Sequence, residues 1–120
     1  LQDQLSRAVA SGADHFNFGA TGFEWDKMYV FGPYTSQKDV ESLIGISWPE
    51  FKQTTVKSSD SVCLVLFVRD SEVVGWYEQP RTIDLSWLAK GEPYMRSDAV
   101  FRIDRTAQPP ALAERTSRDE

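Results

Sequence analysis

The chain has 120 residues, 41% hydrophobic and 26% charged, with a formal net charge of -5 and a sequence pI of about 4.9. That length suits one domain that can bury a core without disulfides or metal, while the acidic balance and the lack of a Lys/Arg cluster argue against nucleic acid or an anionic membrane as partner. No apolar run approaches the roughly 18 residues needed to cross a bilayer, and the single cysteine, Cys63, leaves neither an intramolecular disulfide nor a CxxC zinc site.

Residues 1–13 read as a short helix, because Leu1, Leu5, Ala8 and Val9 fall on one helical face and Gly12 can stop it. Phe16 and Phe18 then alternate in a short strand that breaks at Gly19 and Gly22. The run KMYVF, residues 27–31, is rich in strand formers. Gly32-Pro33 ends it, since Pro cannot donate to a ladder. Thr35 or Ser36 then caps a helix whose apolar stripe is Val40, Leu43 and Ile44, and Gly45 stands where a left-handed terminator belongs. Residues 46–61 are polar and irregular, with Ile46, Trp48 and Phe51 able to fold back on a core.

SVCLVLFVRD is unbroken in its apolar character, which predicts a central strand covered on both faces. Cys63 inside it reads as a buried, inert thiol. Asp70-Ser71 makes a turn and EVVGWYEQ returns as an antiparallel partner, with Gly75 marking a bulge or a close backbone approach. Residues 82–94 carry Ile83, Leu85, Trp87 and Leu88 in a pattern ambiguous between strand and helical turn. DAVFRID is a last strand with Ala99, Phe101 and Ile103 on one side. The expected fold is therefore α+β: an antiparallel sheet of four to five strands with two short helices on one face, within residues 1–105. Residues 106–120 read as a polar tail, disordered or weakly packed.

Chemistry has three candidates. His15 is the one histidine, and its neighbour Asp14 would point to the opposite face of a strand. Glu24 and Asp26 flank Trp25 at i and i+2, so on a strand both carboxylates share a face and could divide acid and base roles. No nucleophile elbow, phosphate loop or HExxH occurs, so neither a catalytic set, a metal site nor a cofactor is expected. Aromatic residues are the third candidate. Trp25, Tyr34, Trp48, Tyr77 and Trp87, with Glu24 and Asp26, form the expected protein-binding set, because Trp and Tyr combine large area with a polar handle.

The run FEWDKMYVFGPYTSQKDVESLIG resembles a family of small, uncharacterised bacterial proteins that are exported or lipoprotein-like. The residues carrying the resemblance are Phe23, Trp25, Asp26, Tyr29, Val30, Phe31, Gly32, Pro33, Tyr34 and Thr35, then the helix ending Leu43-Ile44-Gly45. LVLFVRDSEVVGWYEQPR resembles the family's hairpin and AVFRID its closing strand, so residues 16–104 are covered. The resemblance brings no catalytic residues. It implies a periplasmic or envelope location and leaves room for a lipid-anchored Cys ahead of Leu1. The chain opens without Met, which fits a removed leader as well as a truncation.

The resulting expectation is a non-catalytic binding protein, most concretely an immunity or inhibitor protein that blocks a toxin or envelope hydrolase. Its net charge would steer it toward a basic partner. An envelope structural or assembly module is the alternative, and a hydrolase using Glu24, Asp26 and His15 the last. Within the aromatic run, Asp26 is expected to accept backbone hydrogen bonds at the strand start and Thr35 to sit near the helix cap.

Overall fold

A computed structural model describes residues 2–20 and 22–114. In chain order these form α1 (Gln2–Ala10), β1 (His15–Asn17), β2 (Lys27–Phe31), α2 (Gln37–Ile44), β3 (Val62–Arg69), β4 (Glu72–Pro80), β5 (Tyr94–Met95), β6 (Val100–Asp104) and β7 (Ala111–Glu114). Short 3-10 turns at Phe18–Ala20, Pro49–Gln53, Val56–Ser58, Ser86–Leu88 and Arg96–Asp98 fill the connections.

The class is α+β, and the strands of each sheet pair antiparallel. They divide between a four-stranded sheet, order β4-β3-β2-β5, and a three-stranded sheet, order β1-β6-β7, instead of lying in one. The cause lies in β2 and β3, which are apolar at both parities. Cys63, Val65 and Phe67 join Met28 and Val30 in one cluster, while Leu64, Leu66 and Val68 join Tyr29 and Phe31 in another. Successive strand residues point to opposite faces, so both faces of the β2–β3 pair must be covered.

The three-stranded sheet covers one face with Phe16, Phe101, Ile103 and Leu112, and α1 adds Leu5. Val40 and Ile44 of α2, with Trp48, Phe51 and Val56 of the irregular segment, cover the other. The two helices thus lie on opposite faces of the central sheet and not together on one. A sheet with two apolar faces cannot leave either to solvent. Leu1, expected on the face of α1, lies outside the described residues.

Distant and local contacts both fix the element ends. Arg105 donates from its guanidinium to the carbonyls of Ala8, Val9 and Ala13, closing the C-terminal turn of α1, where a cation also suits the helix dipole. The Ser36 hydroxyl accepts from the Asp39 amide at 3.1 Å, and Gly45 ends α2 at φ 70°, a conformation that costs glycine nothing. Replacing Ser36 by Ala should lower the unfolding free energy by about 1 kcal/mol, read from chemical denaturation, because the amide loses its acceptor. In the β3–β4 hairpin, Phe67 pairs with Gly75 and Val68 with Val73, so Val74 is an extra residue in a bulge. A Cβ on Gly75 would stand 3.3 Å from the Phe23 ring, so glycine there serves the close approach as well as the bulge.

The tail expectation needs correction. Residues 111–114 form β7, hydrogen-bonded to β6, and Ala111 and Leu112 are buried. The tail from Thr106 is polar on average, but Ala111 and Leu112 fall where β6 needs an edge partner. Residues 115–120, the rest of that expected tail, lie outside the described residues.

Candidate functional site

Two of the sequence-nominated aromatics are strongly exposed: Tyr34 at 62% and Trp87 at 72%. Each is held by a built turn. Tyr34 follows Pro33 at the end of β2 and has a left-handed backbone with φ 66°. For a bulky residue that conformation costs about 1–2 kcal/mol. It is pinned on both sides. The Tyr34 amide donates to the Val56 carbonyl at 2.7 Å, and the Thr35 hydroxyl donates to the Gly32 carbonyl at 2.6 Å. Ser36 then starts α2, so Thr35 braces the turn while Ser36 does the capping.

Trp87 stands in the middle of its 3-10 turn. Leu85 and Leu88, three residues apart, both point inward and are fully buried, which turns Trp87 outward. Asp84 organises this turn. Its carboxylate accepts from the Ser86 amide and hydroxyl, each at 3.0 Å, and from Arg81 Nε at 3.1 Å and Nη2 at 3.2 Å. Burial alone would raise the Asp84 pKa. The Arg81 and Ser86 hydrogen bonds outweigh it and hold the carboxyl below its ordinary value. The Asp84 backbone bonds to Pro110 and Leu112, tying the turn to β7.

The other nominated aromatics are buried or half-buried. Trp25 is 2% exposed, with its ring 5.1 Å from Phe67 and the Arg96 guanidinium 5.9 Å above it. Trp48 is also 2% exposed and packs edge-on against Trp76 at 5.7 Å. Both were nominated for their amphipathic rings, and in both the apolar body dominates. Tyr77 is half-buried beside the first cluster, its hydroxyl buried without a protein partner among the described residues. Burial, and next the neighbouring Cys63, pushes the Tyr77 phenol well above its ordinary range. Cys63 itself is fully buried, and burial, with Asp84 nearby, pushes its thiol up to about 11. A thiol so placed is almost entirely protonated at neutral pH and is a poor nucleophile.

Glu24 and Asp26 are exposed and take separate partners. Glu24 accepts from Arg96 Nη1 at 3.2 Å, and Asp26 Oδ2 accepts from the Asp70 amide at 2.9 Å, bracing the β3–β4 turn. Asp70 there has φ 54°, which Asp tolerates better than most residues. His15 lies on β1, in the other sheet, paired in register with Arg102. Glu24 and Trp25 therefore meet around Arg96, whose Nε and Nη2 also bond the Gly19 carbonyl. The grouping of His15 with both carboxylates is not formed by any described hydrogen bond.

Sequence reasoning missed three features. Arg96 is the first, a long-range bond between residues 19 and 96 that no local pattern reveals. Asp84 is the second, although Asp-x-Ser is a turn signal, since an Asp carboxylate often accepts the amide two residues on. The third is an open groove of about 580 Å³ between the start of α2 and residues 51–59, lined by Phe51, Lys52 and Lys57 among others. Among the described residues no cluster of three or more His, Cys, Asp or Glu side chains could hold a metal, and no helix is long and apolar enough to cross a membrane.

No family model matches the chain, and neither a curated protein nor a solved structure matches it.

Proposed function

We propose that this chain is a non-catalytic protein-binding domain, most concretely an immunity or inhibitor protein that blocks a toxin or hydrolase of the bacterial envelope. One observation carries the reading: Tyr34, a large amphipathic ring 62% exposed on a left-handed backbone that two hydrogen bonds hold in place. Backbone strain kept at an exposed aromatic favours a role beyond packing. A backbone already fixed before binding loses little further entropy on contact, which is what an interface anchor needs. Trp87, braced by Asp84 and Ser86, supports the same reading. The catalytic alternative is weaker because Glu24 and Asp26 are committed to Arg96 and to the Asp70 amide. The envelope location rests on the resemblance of the Phe23–Thr35 motif alone.

The test uses the full chain, immobilised against envelope and secreted fractions of the source bacterium, beside a Tyr34→Gly variant. The intact chain should retain one stoichiometric partner in high salt. Tyr34→Gly should weaken that binding by about thirtyfold, as loss of a hot-spot ring does. Its melting temperature should stay level or rise, since glycine adopts φ 66° freely. Equal retention by both proteins would remove Tyr34 as the anchor.

A further inference from the structure

The groove beside α2 carries a charge opposite to that of the whole chain. Net charge is -5, yet the two ionisable side chains lining this groove are Lys52 and Lys57. Neither has a hydrogen-bond or ion-pair partner among the described residues, in contrast to Arg81, Lys90 and Arg96, each of which meets a carboxylate. The carboxylates of Glu41 and Glu78 accept from neutral donors and pair with neither lysine. Glu41 accepts from the Gln37 side chain and the Trp48 amide. Glu78 accepts from the Thr55 amide at 2.9 Å and from its hydroxyl. The groove therefore offers two cations with no ion-pair partner among the described residues.

Its other surfaces suit a peptide. Phe51, only 4% exposed, is the one large apolar residue lining it, beside Thr54, Thr55, Ser58 and Ser59. Ser59 Oγ accepts from the Ser61 amide at 3.1 Å, which leaves its O–H free to donate. Lys52 and Lys57 stand on successive 3-10 turns, Pro49–Gln53 and Val56–Ser58, so the charges are spread along the groove instead of sharing one turn. Val56, between Thr55 and Lys57, accepts the hydrogen bond from the Tyr34 amide, so the Tyr34 backbone is anchored next to the groove-lining segment.

We propose that this groove receives an acidic segment of the partner protein, with Lys52 and Lys57 pairing its carboxylates and Tyr34 packing beside it. The proposal rests on the protein-binding reading above and reverses the partner charge expected from composition. Repulsion between charges more than about 10 Å apart is largely screened at ordinary salt, whereas contacts made at shorter range within the groove are screened less. Local charge then decides what docks.

The probe is a fluorescein-labelled hexaglutamate peptide titrated into the 120-residue chain, with hexalysine and inorganic phosphate as comparisons. Hexaglutamate should bind saturably, more weakly as salt rises, and hexalysine should not compete. The double variant Lys52→Glu/Lys57→Glu should bind at least about tenfold more weakly. Lys27→Glu, an exposed charge on β2 away from the groove, should bind as the parent does. Circular dichroism confirms that each variant is folded. Absence of saturable hexaglutamate binding, preference for hexalysine, or equal loss in Lys27→Glu would overturn the proposal. Displacement by phosphate at the same concentration of charge would overturn it in favour of a small-anion site. The two readings fail separately. A partner retained equally well by the Lys52→Glu/Lys57→Glu protein sinks the groove and leaves the binding domain standing. Groove-dependent hexaglutamate binding with no retained partner sinks the binding domain instead.

Discussion

A chain ending at Arg105 should lose several kcal/mol of stability relative to the full chain, enough to unfold a marginal domain. The cut removes β7, which supplies the outer strand of the three-stranded sheet. It also removes Leu112, fully buried against Ile103 and the rest of the first cluster. The Asp84 amide loses the Pro110 carbonyl and the Asp84 carbonyl loses the Leu112 amide, so the Trp87 turn loosens with the sheet. Leu112→Ala in the full chain isolates the packing part and should cost about 3 kcal/mol. Urea denaturation of the three proteins measures both effects. If the shortened chain unfolds at the same midpoint as the full one, β7 contributes nothing and the domain does end at residue 105.

Asp84→Ala should cost about 3 kcal/mol, because four donors lose one acceptor in a largely dry setting. The Asp84 side chain is 10% exposed and that of Arg81 is 37%, so solvent can take over the Arg81 end but not the Ser86 amide as readily. The pH dependence follows from the depressed Asp84 pKa. A carboxyl that ionises more readily folded than unfolded contributes stability above its unfolded pKa, about 4. That contribution is lost as pH falls through the folded value. Denaturation midpoints measured from about pH 7 down to pH 3 should therefore fall more steeply for the parent than for Asp84→Ala at the acid end. Parallel curves would show that Asp84 does not carry the linkage. Loss of the Trp87 turn should also reduce any binding that uses that ring.

Much of the candidate surface was legible as composition and little as position. Tyr34 beside Pro33 was readable because the Gly-Pro pair and the Ser36 cap bracket a turn, and a turn residue between strand and helix tends to face outward. Trp87 was readable only as an aromatic in an ambiguous run; the inward pull of Leu85 and Leu88, three apart, decided its exposure. Trp25 and Trp48 carry the same chemistry and are buried, because Phe67 and Trp76 reach them from distant strands. The groove could not have been found at all. It arises where the start of α2 meets residues 51–59, and a spacing of five between Lys52 and Lys57 says nothing without that meeting.

The sequence by itself determined the elements whose causes are local. The Ser36 cap and Gly45 stop of α2, the alternation in β6, the turn at Asp70 and the two-faced apolar run of β3 all follow from residues within a few positions of one another. Tertiary structure alone decided how those pieces cover each other. Two apolar faces on β2 and β3 demanded two lids, which placed α1 with the three-stranded sheet on one side and α2 on the other. It also drew the apolar pair Ala111-Leu112 out of a polar stretch to finish that sheet. The reason is one of range: propensity and capping act over a turn of chain, whereas burial and charge pairing depend on which distant residues arrive at the same place.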